Sequence, residues 1–121
     1  MIKKLFILTI LFSLGLSQGK VDIESLFEYN GKYFEQGEDR PFTGIVFHLS
    51  EITGNKIIEY KLLNGLRKGS YQEWYENGIL KYRGQYSQES KEGLWKKWDK
   101  NGKLISQNTY RNGNIWIGNG K

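Results

Sequence analysis

The segment that decides the fold reads KGSYQEWYENGILKYRGQY at residues 68–86, and it returns as EGLWKKWDKNGKLISQNTY at residues 92–110. The two copies lie 24 residues apart, and their glycine, aromatic, Asn-Gly and leucine positions coincide over the whole length. Such agreement at a single offset indicates a repeat architecture. We assign structural roles to Gly69, Trp74, Gly78, Leu80 and Tyr86 in the first copy, Gly93, Trp98, Gly102, Leu104 and Tyr110 in the second, and Gly44 in a looser copy that begins at residue 42.

Each copy predicts a β-hairpin closed by an Asn-Gly turn. Asn77-Gly78 and Asn101-Gly102 separate aromatic-rich runs, and both residue types tolerate left-handed backbone angles. The same dipeptide at 30–31 predicts an opening hairpin between SLFEY and KYFEQ. These connections are too short for a crossover helix. We therefore predict an all-β protein, a single twisted antiparallel meander of β-hairpin repeats with about eight short strands.

The length of the turn decides which side chains share a face, because a slip of one residue exchanges the two faces. A three-residue loop with its glycine in a bulge places Trp74 opposite Leu80, whereas a two-residue loop places Tyr75 there. We favour the three-residue loop because it pairs apolar residues in both copies. On that register the packed face carries Trp74, Trp98, Leu80 and Leu104, and the opposite face carries Tyr71, Trp95, Tyr75 and Lys97.

Composition excludes several classes of function. The chain has 121 residues, no cysteine and one histidine, His48. A disulfide framework, a cysteine-ligated zinc site and a thiol nucleophile are excluded together. A single histidine also leaves little material for a multi-histidine metal site, so we expect no metal and no cofactor.

The N-terminal stretch has the layout of a secretory signal peptide. Lys3 and Lys4 precede an apolar run from Leu5 to Leu16, which is followed by small residues, and the run is shorter than the ~20 residues of a membrane span. We expect cleavage after Ser17, with Gly19 as the alternative, and export to the periplasm, cell surface or medium. The predicted organisation is a signal peptide at 1–17, a lead-in with the first hairpin at 18–41, and repeats at 42–67, 68–91 and 92–114 with a partial one at 115–121.

Charge is unevenly distributed along the expected mature chain. Residues 18–60 carry four basic and eight acidic side chains, whereas residues 61–121 carry twelve and five. Two interpretations remain open, a solvated polar surface or a basic face that attracts an anionic partner.

The carboxylates near the aromatic strands are the candidates for acid-base chemistry. They are Glu73, Glu76, Glu92 and Asp99, but Glu73 and Glu76 correspond to Lys97 and Lys100 in the next copy. Their exchange for lysine indicates solvent-facing positions rather than a catalytic pair. His48 corresponds to Glu73 and is likewise a variable strand position. We therefore predict that the protein is not an enzyme.

Aromatic and basic side chains are the better candidates for function. A single sheet cannot bury both of its faces by itself, so aromatic residues on the second face need solvent, neighbours or a partner. We expect another protein as the partner, with an anionic membrane surface or a glycan as alternatives, and no nucleic acid because of the expected export. The competing interpretation is that these aromatics are the core of a thin sheet. The candidate binding residues are Tyr71, Tyr75, Arg83, Trp95, Lys96 and Lys97.

The repeat unit G-x-[YW]-x-x-W-x-x-N-G-x-L, followed by a late tyrosine and a further glycine, resembles the bacterial variant of the MORN repeat. The approach segment with Pro41-Phe42-Thr43-Gly44 resembles the lead-in of secreted bacterial members, and the resemblance covers about residues 30–117. It implies an all-β repeat module for protein interaction or scaffolding. Some bacterial relatives are antitoxins, and eukaryotic arrays are associated with membrane lipids or protein assembly. Given the expected export, an antitoxin role requires an exported partner. The sequence departs from the pattern at Glu89, where a glycine is expected.

Overall fold

The computed structural model describes residues 19–118. The expected signal peptide at 1–17 and the last three residues of the partial repeat lie outside the described residues. Ten strands make up most of residues 19–118, with one short 3₁₀ turn at Ile23–Ser25. The strands are β1 Gly19–Asp22, β2 Leu26–Tyr29, β3 Lys32–Glu35, β4 Gly44–Leu49, β5 Lys56–Leu63, β6 Leu66–Trp74, β7 Leu80–Ser87, β8 Ser90–Trp98, β9 Leu104–Arg111 and β10 Asn114–Ile115.

The main sheet has eight strands in the order β1-β4-β5-β6-β7-β8-β9-β10. From β4 to β10 each strand pairs antiparallel with the next along the chain. The predicted all-β antiparallel meander is therefore confirmed, because short turns can only join antiparallel neighbours.

The N-terminal segment departs from a simple meander. β1 pairs with β4 in parallel, and a parallel pair needs a long crossover connection. Residues 23–43 provide that crossover, and they contain the predicted hairpin around Asn30-Gly31. This hairpin, β2–β3, forms a separate two-stranded sheet. β1 thus extends the main sheet by one strand, whereas the rest of the lead-in packs on that sheet as a cover.

The two Asn-Gly hairpins have the three-residue loop that we favoured. Gly78 N–H donates to the Tyr75 carbonyl at 3.0 Å, and Gly78 has a left-handed φ of 89°. This is a type I turn followed by a glycine bulge, and Asp99 and Gly102 form the same bond at 3.0 Å one repeat later. Trp74 pairs with Leu80, and the equivalent residues 98 and 104 pair in the next copy. The predicted register is confirmed.

The predicted assignment of faces is wrong. The buried apolar residues are Val46, Tyr60, Leu62, Tyr71 and Trp95. Trp95 is 2% exposed and Tyr71 is 9% exposed, whereas Leu104 is 44% exposed. Pairing tells which side chains share a face, but not which face the lead-in covers. Its apolar side chains pack on the Tyr71 side, which we call the core face, and the side with Trp74 and Trp98 is the outer face.

Glu89 occupies its turn with a compensating contact. The Gln88-Glu89 turn has φ values of 49° and 74°, a left-handed conformation that costs a residue with a side chain about 1–2 kcal/mol. The Glu89 carboxylate accepts hydrogen bonds from the Arg67 backbone N–H at 2.8 Å and from its Nε at 2.9 Å. In return, the Glu89 N–H donates to the Arg67 carbonyl at 2.8 Å. Where a glycine is expected, Glu89 therefore adopts the turn and forms a bidentate contact with Arg67 of the preceding repeat.

Candidate binding surfaces

The centre of the core face is an indole lying flat on a glycine. Trp95 crosses Gly84 so closely that a Cβ on Gly84 would stand 2.0 Å from the Trp95 Cδ2. Three tyrosines surround the ring, with centroid distances of 4.9 Å to Tyr82, 5.2 Å to Tyr86 and 5.6 Å to Tyr71. The Trp95 Nε1 donates to the backbone carbonyl of residue 85 at 3.1 Å. The polar atom of this buried ring is therefore satisfied.

Lys91 covers this aromatic cluster. Its Nζ lies 4.9 Å from the Trp95 and Tyr110 ring centroids and 5.2 Å from that of Tyr82, within cation–π distance of all three. It also donates to the Tyr82 hydroxyl at 2.7 Å. Burial by itself lowers the pKa of Lys91, but the hydrogen bond to Tyr82 and the neighbouring tyrosines outweigh it, so the pKa lies above its ordinary value. Lys91 thus stays cationic over the rings.

An open cavity of about 420 Å³ adjoins the cluster on the core face. We call it the edge cavity because β9 forms one of its walls. Within it Glu73 lies 3.9 Å from the Lys81 Nζ and accepts a hydrogen bond from the Tyr71 hydroxyl. Lys97 has no salt bridge within residues 19–118, so the cavity carries an excess of positive charge. Its lining consists of Glu73, Lys81, Tyr82, Trp95, Lys97, Ser106, Asn108 and Tyr110.

The outer face presents a second basic and aromatic surface. Lys56 Nζ lies 5.6 Å from the Trp74 ring centroid, and the Arg83 guanidinium lies 5.9 Å from that of Trp98. Lys96 stands directly opposite Arg83 on the neighbouring strand. Five cationic or aromatic side chains thus line one open side of the sheet.

The six predicted binding residues do not form one surface. Tyr71 and Trp95 are buried in the core cluster, so they cannot serve as exposed contacts. Lys97 lies in the edge cavity, and the Tyr75 hydroxyl donates to the backbone carbonyl of residue 98 at 2.8 Å. Arg83, together with Lys96 beside it, belongs to the outer face.

The carboxylates considered for acid-base chemistry have local structural contacts. Ser50 donates to Glu76, and Glu92 accepts from the backbone N–H of residue 112 at 3.2 Å. Asp99 accepts from two N–H groups of its own turn, at 2.8 and 3.0 Å, and these bonds from Lys103 and residue 101 lower its pKa. His48 Nδ1 lies 3.4 Å from the Asp22 Oδ1. Among residues 19–118 no group of three or more His, Asp or Glu side chains is placed to hold a metal ion.

Sequence reasoning missed the residues that shape the core face. Gly84, Lys91 and Tyr82 had no assigned role, although all three contact or adjoin Trp95. Gly84 was the available signal, because a glycine inside a strand pattern indicates close approach of another group. Its equivalents in the other copies are Tyr60 and Asn108, which hid it from the repeat comparison.

Comparison with known proteins supports the hairpin repeats. Residues 67–88 and 91–112 each match the family model described as the MORN repeat variant. These two segments are similar to MORN repeats. No curated protein and no solved structure gives a significant match to the chain. MORN repeats are generally binding modules for proteins or membranes rather than enzymes. Within residues 19–118 there is no helix of the length and apolarity that a bilayer crossing requires.

Proposed function

We propose that this chain is an exported, non-enzymatic repeat module that binds another protein. The observation that carries the proposal is the incomplete cover of the core face. The lead-in packs there through Val21, Ile23, Leu26 and Tyr33, together with Phe42 at the start of the first repeat, whereas over β7–β9 the same face holds the open edge cavity. Aromatic residues are enriched at surfaces that bind proteins, and a surface charge without a partner favours a partner of opposite charge.

Export is part of the proposal. The basic and apolar pattern of residues 1–17 supports a signal peptide, and the partner is then a protein of the same extracytoplasmic compartment. An exported toxin would be one such partner, in keeping with the antitoxin relatives that the repeat pattern suggests.

The test is affinity capture from the extracytoplasmic fraction with two matched double variants. Lys81→Glu with Lys97→Glu reverses two charges in the edge cavity, and Arg83→Glu with Lys96→Glu reverses two on the outer face. We expect the wild type and the outer-face variant to retain one saturable protein partner, and the cavity variant to lose it. The purified partner should keep its covalent mass after incubation. The proposal would be contradicted if no protein were enriched relative to a control with the tag alone, or if the captured partner were chemically converted during the incubation.

A second candidate function is binding to an anionic membrane surface or glycan through the outer face. The observation that favours it is the row of Lys56, Trp74, Arg83 and Trp98 with Lys96 beside it. Sedimentation with anionic and neutral vesicles separates the two functions. Here the outer-face variant should lose binding to anionic vesicles, while the cavity variant, with the same change in net charge on the core face, should retain it. Equal binding to neutral vesicles would eliminate this candidate.

A further inference from the structure

Among residues 19–118, the edge of β9 that faces away from β8 is not paired along its length, unlike the two equivalent strands. β5 and β7 occupy the same place in their repeats, and each pairs along its length with the next strand, β6 or β8. On β9 only Tyr110 and Arg111 pair with β10, and Trp116 N–H donates to the Thr109 carbonyl at 2.7 Å. Among the described residues no strand pairs with the outer side of 104–108. Backbone groups there are open to a further strand.

The sequence of this edge does not oppose pairing. Residues 104–108 contain no charge and no proline, two of the devices that protect an exposed edge. Leu104 and Ile105 are 44% and 52% exposed. A strand added at this position would gain backbone hydrogen bonds and would cover apolar surface.

The walls of the edge cavity are the repeat equivalents of the residues that enclose Trp95. In the preceding repeat, Trp95 is enclosed by Tyr71, Gly84 and Tyr86. Shifted by 24 residues these walls become Trp95, Asn108 and Tyr110, which all line the edge cavity. Asn108 has a side chain where Gly84 has none, but an aromatic ring can still pack at such a position. Tyr60 is the equivalent of Gly84 in the first copy, and its ring centroid lies 5.6 Å from that of Tyr71, on which it stacks.

The charge of Lys97 indicates which side chain an added strand would carry near it. On β6 the residue two positions after the core aromatic is Glu73, and on β8 it is Lys97. The corresponding residue of an added strand would lie on the same face as Lys97, with Ser106, the β9 partner of Lys97, between them. The flexible four-carbon stem of lysine can bridge that separation. Lys97 has no salt bridge within residues 19–118. A carboxylate there would complete an ion pair.

We propose that the open edge of β9 and the edge cavity together bind an extended segment of the partner protein with the pattern aromatic-x-acidic. The segment adds a strand to β9, places its aromatic ring against Trp95 and Tyr110, and directs its carboxylate toward Lys97. This inference rests on the proposed protein-binding function and names the site and the partner's chemistry. The pattern already occurs within the chain as Tyr71-Gln72-Glu73.

The test uses a synthetic peptide with the sequence of residues 68–76, KGSYQEWYE, added to isotopically labelled protein. We expect saturable amide shift changes at residues 104–110. A peptide with Tyr71→Ala should bind about tenfold more weakly, because it loses the aromatic contact. The Lys97→Glu protein should bind the wild-type peptide about fivefold more weakly. A peptide with Glu73→Lys should recover the affinity on that variant to within about twofold, which separates the ion pair from any effect on folding.

Lys100→Glu is the matched control, an equal charge change at an exposed position in the hairpin tip. It should leave affinity unchanged, and an equal loss with Lys100→Glu and Lys97→Glu would overturn the site. So would shift changes confined to another surface, or none at 1 mM peptide, a level at which even weak binding is visible. Concentration-dependent dimerisation through residues 104–110 would replace the partner with a second copy and overturn the proposal. A protein captured without peptide binding refutes only this site, whereas peptide binding with no protein captured refutes the proposed function.

Discussion

Substitution of Gly84 by alanine tests the packing on which the core face depends. The new Cβ would stand 2.0 Å from the Trp95 Cδ2 and 2.2 Å from its Cε2. Carbon atoms pack best at about 3.5–4.0 Å, so the ring would have to move by about 1.5 Å. Tyr71, Tyr82 and Tyr86 restrict that movement, since their centroids lie within 5.6 Å of the ring.

We expect Gly84→Ala to lower the free energy of unfolding by about 2–3 kcal/mol, the upper part of the usual range for overpacking. Urea unfolding followed by far-UV circular dichroism measures this change. The control is Gly19→Ala, whose Cβ meets no atom within 4 Å, and it should change stability by less than about 0.5 kcal/mol.

A double-mutant cycle identifies the cause. Trp95→Tyr installs the residue found at the equivalent position, Tyr71, and makes room above Gly84. The double variant should be more stable than additivity predicts by about 1 kcal/mol or more. A Gly84→Ala variant as stable as the wild type, or strict additivity in the cycle, would refute the packing argument.

Three further predictions follow from the same contacts. Glu89→Ala and Glu89→Gly both lose the hydrogen bonds to Arg67, but only the glycine adopts the left-handed turn without strain. In urea unfolding the glycine variant should therefore be more stable than the alanine variant by about 1 kcal/mol. Equal stability would contradict this. Lys91→Ala should shift Trp95 fluorescence to longer wavelength, because it opens the cluster to water, and an unchanged spectrum would argue against that cover. Burial raises the pKa of Tyr60 to about 12 against about 10 in the unfolded chain, so its contribution to stability is complete below pH 10 and is lost between pH 10 and 12. Unfolding free energy measured against pH should show this fall, and a Tyr60→Phe variant with the same slope would contradict it.

Hairpins and register were predictable because their determinants are local. Asn77-Gly78 and its copy one repeat later specify a turn type by backbone conformation alone, and the pairing of Trp74 with Leu80 follows from the loop length. The parallel pairing of β1 had no such local signal, since GKVD is short and its partner β4 lies beyond a whole hairpin.

The candidate site was only partly predictable for the same reason. The register placed Tyr71 and Trp95 together on one face, but whether that face is buried depends on the distant lead-in. Lys97 was found because basic residues cluster near the aromatics. Gly84 and Lys91 act through contacts between neighbouring repeats, which a pattern within one repeat does not contain.

Hydrogen–deuterium exchange of the protein with and without its captured partner tests the central claim most directly. We expect a stable protein complex in which protection increases at residues 104–110, while the amides of β4 and β5 under the lead-in keep the exchange rates of the free protein. Unchanged exchange along residues 19–118, or protection restricted to β4 and β5, would contradict it.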